Sequence, residues 1–407
     1  MNNAHVTGSF KLMKSLNRTL VLNIIRKDGP ISRAEIAKRT NLTPPTVTNI
    51  VNELFETGII KESQMGQSSG GRKPILLTIE PTSHYVIGID VGVHKVKVVL
   101  ADLNASITNE SITKIKKGIT EAELLQLLIE NVYTIVEQAN VTKEKIVGIG
   151  VGMHGMVDHI HGVALYAPNL QLKNIPIKQT LEAEFSLPVT VENDAKALAL
   201  GEKWFGYGAD IENMVCINVG IGIGSGIILQ NKLFHGKDGI AGEIGHTVID
   251  ENGPMCTCGN KGCLQTFSAG EAIRTRALEG INKGKPTAIV EIVKGNLDNV
   301  DGEAVFEAAK AGDAFAKEVL TESGKYLGMS IANLINVLNP ELVVLSGGVS
   351  RAGEFLLQPI RAIVEERVLT PSAKDTTICL SKLGQQGTVI GAVTLVLAEM
   401  FVPDVNA

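Results

Sequence analysis

Residues 241–265, AGEIGHTVIDENGPMCTCGNKGCLQ, constrain this chain more than any other stretch. His246, Cys256, Cys258 and Cys263 follow the spacing H-x9-C-x-C-x4-C. Three thiolates and an imidazole suit a closed tetrahedral Zn²⁺ site. Gly253, Gly259 and Gly262 give the backbone the freedom to aim four ligands inward. The plain alternative is three free cysteines in a loop. Against it, three of the chain's five cysteines fall within eight residues of polar, glycine-rich sequence. Cys216 (MVCINV) and Cys379 (TICL) lie instead in apolar runs, as buried structural cysteines do. No open coordination position is implied, so the metal's expected role is structural. Fixing His246 also fixes Glu243, three residues earlier.

At 407 residues the chain is long enough for more than one domain, and 44% hydrophobic with 20% charged residues supports large cores. It has no run of eighteen apolar residues, so no membrane span is expected. The opening MNNAHVTGSFKLMK lacks an apolar signal core. A cytoplasmic location follows, and its reducing conditions fit cysteines clustered for metal. The net charge of -5 hides an asymmetry: residues 1–80 hold 11 Lys+Arg against 6 Asp+Glu, leaving the remainder at roughly -10. A basic head on an acidic body points the head toward nucleic acid.

In the head, Leu16, Leu20, Val21, Ile24 and Ile25 recur at helical spacing, ended by Asp28-Gly29-Pro30. Ser32 and Glu35 form a capping box for a helix over 33–39. After Thr40-Asn41-Leu42, Thr43 caps a third helix with Pro44 in its first turn. Val47, Ile50, Val51, Leu54 and Phe55 form its apolar stripe. Thr43, Pro45, Thr46, Thr48, Asn49 and Asn52 lie off that stripe, small enough to approach base edges and phosphates in a major groove. Two β-patterned arms around QSSGGRKP read as a wing whose Arg72 and Lys73 reach the DNA backbone or minor groove. The expected domain at 1–80 is a winged helix-turn-helix with Ser32, Arg33, Thr43, Pro45, Thr46, Thr48, Asn49, Arg72 and Lys73 facing DNA. A small helical interaction module is the alternative. Two heads on a symmetric dimer would read a palindrome.

The body, residues 81–407, opens on an apolar strand, YVIGIDVG, then strands at 97–101 and from Ser106. A helix over 120–138, strands over 146–151 and 189–191, and a helix over 195–205 follow. A second half begins at MVCINV, passes Gly220–Gly226 to a strand IILQ, and continues beyond the metal loop largely as helix. A late strand over 342–345 leads to Ser346-Gly347-Gly348, with helices near 355–367 and 387–400. Two halves opened by hairpins predict a two-lobed α/β body with a ligand cleft between them. Asp90-x-Gly92, Gly220–Gly226 and Gly347-Gly348 are expected to face the cleft as phosphate-approachable turns. Asn193-Asp194 reads either as a helix cap or as a cleft carboxylate able to take a proton from a hydroxyl. With Glu243 and His246 it makes a cluster suited to a polyhydroxy ligand. Lys95 and Lys97 read as a solvated face or as phosphate partners.

Gly242-Glu243-Ile244-Gly245-His246, Cys256-x-Cys258-Gly259-x-x-Gly262-Cys263, Glu192-Asn193-Asp194-Ala195 and Gly347-Gly348-Val349-Ser350 together resemble the ROK family (repressors, open reading frames and sugar kinases). The likeness extends over nearly the whole chain. The head, with PISRA and SSGGRKP, resembles the repressor branch, most of all the xylose repressors of Gram-positive bacteria. The resemblance implies an actin-like (sugar kinase/Hsp70-type, RNase H-like) body, a homodimer or tetramer, and a sugar-responsive repressor acting on operator DNA. It implies sugar contacts at Asn169, Asn193, Asp194, Glu243 and His246, with His246 offering one ring nitrogen to zinc and the other to the sugar.

The chain departs from the family's kinases where phosphate would bind. Their D-x-G-G-T is Asp90-Val91-Gly92-Val93-His94 here, and their G-T-G-I-G is Gly220-Ile221-Gly222-Ile223-Gly224. Both threonine hydroxyls are lost, and Ile221 puts an apolar side chain where phosphate belongs. Gln265 replaces a glutamate, keeping a hydrogen bond to sugar but no charge, and His154-Gly155 replaces Pro-Gly. Asp194, the family's base, remains. The expected function is a non-catalytic repressor released by a free sugar: xylose first, with glucose or an N-acetyl sugar as alternatives. An ATP-dependent sugar kinase with a DNA-binding head is the rival.

Overall fold

The computed structural model describes residues 10–65 and 74–401. The head contains α1 (Phe10–Asp28), β1 (Ile31–Ser32), α2 (Arg33–Thr40), α3 (Pro44–Glu56), β2 (Ile60–Met65) and β3 (Ile75–Ile79). Ser32 Oγ caps α2 by accepting from the Glu35 N–H at 3.2 Å. The Glu35 carboxylate accepts from Arg39 instead of closing the box, so the expected reciprocal cap is half formed. Asn41, at φ 56°, ends α2, and Thr43 caps α3 with Pro44 first in the helix. Val47, Ile50, Val51 and Leu54 are buried as their spacing predicts, while Phe55 is only half-buried. β2 and β3 pair antiparallel as wing arms, and β1 adds a third strand that the sequence did not signal. Arg72 and Lys73, expected at the wing tip, lie outside the described residues.

In the first lobe β4 (Tyr85–Val91), β5 (Lys95–Asp102) and β6 (Ile107–Lys114) form an antiparallel meander. α4 (Glu121–Ala139) returns the chain so that β7 (Ile146–Met153) pairs parallel to β4. A small sheet, β8 (Met156–Asp158), β9 (Val163–Ala167) and β10 (Leu172–Ile175), follows, with α5 (Ile177–Phe185) after it. β11 (Val189–Asn193) then pairs parallel to β7 and runs into α6 (Asp194–Phe205).

The second lobe repeats this plan. β12 (Met214–Val219), β13 (Ile223–Leu229) and β14 (Lys232–Leu233) make the meander, and β15 (Leu342–Ser346) and β16 (Thr377–Leu380) add in parallel. The strand orders β11-β7-β4-β5-β6 and β16-β15-β12-β13-β14 match one for one. This is the duplicated topology expected of a two-lobed actin-like body. Between β14 and β15 come α7 (Gln265–Ser268), α8 (Gly270–Asn282), α9 (Ile289–Ile292), α10 (Gly302–Lys310) and α11 (Ala314–Leu338). α12 (Glu354–Arg367) and α13 (Pro371–Lys374) precede β16, and α14 (Gly387–Phe401) ends the fold.

α14 crosses back to the first lobe, lies on β4 and β7, and packs along α6, which rests on β12 and β13. The lobes therefore meet through a sheet–helix–helix–sheet stack. Glycine makes the approach possible: a methyl on Gly150 of β7 would sit 1.8 Å from the Ala392 carbonyl oxygen, and one on Gly391 would sit 2.0 Å from that of Ala197. The expected turn at Gly220–Gly226 is shorter than predicted. Only Gly220–Gly222 turns, with the Gly220 N–H donating to the Gly222 carbonyl, while Gly224 and Gly226 are strand residues facing α6. Glu80 pairs with Lys61 at 2.9 Å, and one core joins Val21, Leu22 and Ile25 of the head to Val389, Val393 and Phe401.

Gly150→Ala and Gly391→Ala should each lower unfolding free energy by about 3 kcal/mol through forced overpacking. Gly302→Ala, where the added methyl meets nothing within 4 Å, should leave it unchanged; urea midpoints of the three variants check this.

Candidate functional site

The loop after β14 folds His246, Cys256, Cys258 and Cys263 into one cluster, their ligand atoms all within 4.8 Å of one another. Gly262, at φ 69°, is required here, because a side chain would strike the Asp250 carbonyl. Cys256 Sγ lies 3.6 Å from His246 Nδ1, and Cys258 Sγ lies 3.7 Å from Cys263 Sγ. A tetrahedral ion with Zn–S near 2.3 Å and Zn–N near 2.0 Å places neighbouring ligand atoms about 3.5–3.8 Å apart, so the four residues fit a metal. Burial alone would raise the Cys256 thiol, but hydrogen bonds from Cys258 and His246 bring its pKa below the ordinary value. Gln265, expected at the sugar, donates from Nε2 to Cys256 Sγ at 3.2 Å and to Thr257 Oγ1 at 3.4 Å. His246 uses Nδ1 on the cysteine side, leaving Nε2 as its second nitrogen.

Asn193 and Asp194 stand where β11 becomes α6, and the cap reading of this pair holds. Asn193 Oδ1 accepts from the N–H groups of Ala195 and Lys196, a true helix cap. Its Nδ2 donates to the Gly155 carbonyl at 3.0 Å and to Asp194 Oδ1 at 3.1 Å. With both amide hydrogens and the oxygen engaged, Asn193 is a positioner of Asp194. Asn218 of β12 reaches across to Asp194 Oδ2 at 3.4 Å, a contact absent from the expected set. Burial raises the pKa of Asp194. Burial, with Asp194 adding to it, pushes Asp90 up to about 7. Burial also raises Glu243, opposed by the charges of Lys196 and His246.

Asn169 is exposed in the turn between β9 and β10, next to Pro168, whose ring abuts Gly155. A neighbouring constellation had no sequence motif to reveal it. Glu192 Oε2 bonds His235 Nε2 at 2.6 Å, and His235 stacks on His159 with ring centroids 3.9 Å apart. Lys196, buried, donates to the Gly239 carbonyl at 2.9 Å. Lys97 is neither a solvated face nor a free phosphate partner: it is buried and pairs with Glu110 and Gln386.

On the head, Thr43, Pro45, Thr48 and Asn49 are exposed and Thr46 half-exposed along α3. Thr43 and Thr46 share a hydroxyl contact of 2.8 Å, and Thr48 Oγ1 donates to the Pro44 carbonyl. Ser32 is occupied as a cap, and the Arg33 guanidinium lies 5.7 Å from the Phe55 ring centroid. Among the described residues, the α3 face is thus the most open part of the expected DNA surface.

A model of the ROK family matches residues 86–399, and one described as winged helix-turn-helix DNA-binding matches residues 16–61. The xylose repressor of Caldicellulosiruptor bescii is 35% identical over 97% of this chain and 98% of its own. The DNA-binding transcriptional dual regulator NagC of Escherichia coli K12 is 32% identical over 97% of this chain and 95% of its own. The chain belongs to the ROK family. A solved ROK family transcriptional regulator, a homologue of the E. coli MLC protein, matches with TM-score 0.85 and 29% identity over 96% of this chain and 98% of that one. A ROK family glucokinase from Streptomyces griseus, solved with glucose and AMPPNP, matches with TM-score 0.70 and 30% identity over 76% of this chain and 98% of that one. This ROK chain thus shares its body with sugar kinases and its head-plus-body arrangement with regulators. No helix among the described residues is long and apolar enough to cross a membrane.

Metal analysis of the purified protein should find about one ion per chain, lost on Cys258→Ser together with a lower melting temperature. A metal-free wild type with an unchanged melting temperature in chelator would contradict the assignment.

Proposed function

We propose that this chain is a cytoplasmic, sugar-responsive transcriptional repressor that binds a palindromic operator as a homodimer or tetramer. The observation that carries the reading is the likeness of head and body together to repressors over 97% of the chain. The α3 face carrying Thr43, Pro45, Thr46, Thr48 and Asn49 enters the major groove, with Ser32 and Arg33 beside it and Arg72 and Lys73 on the wing. A free sugar enters the cleft. Asp194 and Glu243 accept from its hydroxyls, His246 Nε2 and Asn169 add contacts, and Asn193 holds Asp194 in place. Zn²⁺ on His246, Cys256, Cys258 and Cys263 is structural and fixes the His246 ring that faces the sugar. Gln265 acts on this site through the Cys256 thiolate. Closure of the lobes changes the spacing of the two heads, and operator affinity falls.

The chain is read as non-catalytic because its phosphate turns are altered. Ile221 stands 46% exposed in the Gly220–Gly222 turn, where a phosphate would lose water without gaining a partner. The retained Asp194, at the head of α6, favours a second reading as an ATP-dependent sugar kinase. Xylose is the first effector, with glucose or an N-acetyl sugar next.

Fluorescence anisotropy on the DNA upstream of the gene, titrated with D-xylose, D-glucose and N-acetyl-D-glucosamine with and without ATP, tests this reading. One free sugar should release the operator without ATP. Asp194→Asn should keep operator affinity within about twofold yet lose at least about fivefold of the sugar effect. ATP consumption on sugar addition, with no specific DNA binding, would establish the kinase instead.

A further inference from the structure

One contact between head and body is unusual. Arg26, in the last turn of α1, holds its guanidinium carbon 3.9 Å from the Trp204 ring centroid and 5.7 Å from that of Phe401. Trp204 lies in the last turn of α6 and Phe401 ends α14, with their rings 6.5 Å apart. Arg26 Nη2 donates only within its own helix, to Asn23 at 3.2 Å, and its Nε is buried without a partner among the described residues. A guanidinium held on an aromatic face with a donor unsatisfied is a contact that a small displacement changes at low cost.

The other end of α6 is Asn193-Asp194, in the cleft. Between the two ends α6 has no slack. Gly226 of β13 lies against it so closely that an added methyl would be 2.4 Å from Ala199 Cβ, and Gly391 of α14 touches its Ala197 carbonyl. Near its C-terminus, Lys203 Nζ donates to the carbonyls of Gly208, Ala209 and Ile211, and Glu202 Oε1 accepts from Leu383 N–H. A helix packed this tightly moves as a body, since close-packed contacts shift between discrete arrangements and do not deform smoothly.

We infer that the Arg26–Trp204 stack is the point at which the cleft reports to the DNA-binding head, with α6 carrying the displacement. Both are positioning residues; neither touches sugar or DNA. The inference rests on the sugar-responsive reading of the cleft.

Trp204 is the chain's only tryptophan, so its emission reads this junction without a label. The full-length protein is titrated with D-xylose, D-glucose and N-acetyl-D-glucosamine, with binding followed by calorimetry and emission recorded in parallel. The sugar that binds should shift or quench Trp204 emission, although Asp194 lies about 15 Å away along the helix. In Arg26→Ala the same sugar should bind within about threefold of its wild-type affinity yet change operator affinity less than about twofold, against about fivefold or more in the wild type. Trp204→Phe, which keeps an aromatic face, should retain most of the response, and Trp204→Leu should lose it. Binding heat without an emission change, or Arg26→Ala with a wild-type response, overturns the inference and leaves the proposed function standing. No binding heat from any of these sugars overturns both.

Discussion

The close packing of α6 against α14 is the constraint on which the rest of the molecule depends. Two sheets of matching strand order could each fold around their own cores. They become one cleft-bearing body because glycine on β7, β13, α6 and α14 lets backbones approach where any side chain would collide. Gly201 faces Gly391, so the two helices meet with no side chain between them. The pair then fixes three things together. It sets the lobe separation, it aims Asp194 from the N-terminus of α6, and it supports the head through Trp204 and Phe401.

The cleft's chemistry follows from where that helix begins. Asp90, Asp194 and Glu243 are carboxylates raised in pKa chiefly by burial, opposed by Lys97 and Lys95 at Asp90, by His154 and Lys196 at Asp194, and by Lys196 and His246 at Glu243. In their ionised form these groups accept hydroxyl hydrogens and repel anions, which suits a neutral polyol better than a phosphate. The cluster of His246, Cys256, Cys258 and Cys263 ties His246 to the same short segment as Glu243, so one folding event places both.

Much of this was legible in the sequence because it is local or periodic. The α3 stripe repeats at helical spacing, the cap at Thr43 stands where α3 begins, and the cysteine spacing encodes its own closure. The long-range partners were not legible. Lys97 meets Gln386 from the far end of the chain, and Arg26 meets Trp204 with no local pattern announcing either. Gly224 and Gly226 look like turn glycines in a string, because a run of glycine is the same whether it bends a loop or admits a helix. Gln265 was placed at the sugar by likeness; its contact with the Cys256 sulfur, nine residues and roughly 30 Å of extended chain away, appears only in the folded loop. The small sheet β8–β10 carries no motif, and the approach of His159 and His235 to Glu192 emerges only from the fold.

The central claim is that cleft and head share one free energy, so it must run in both directions. Equilibrium dialysis with labelled sugar, on the protein free and saturated with operator, measures this directly. The account predicts weaker sugar binding in the operator complex, by the same factor by which sugar weakens operator binding. Equal sugar affinity in the two states would leave the cleft and the head as separate machines and contradict the account.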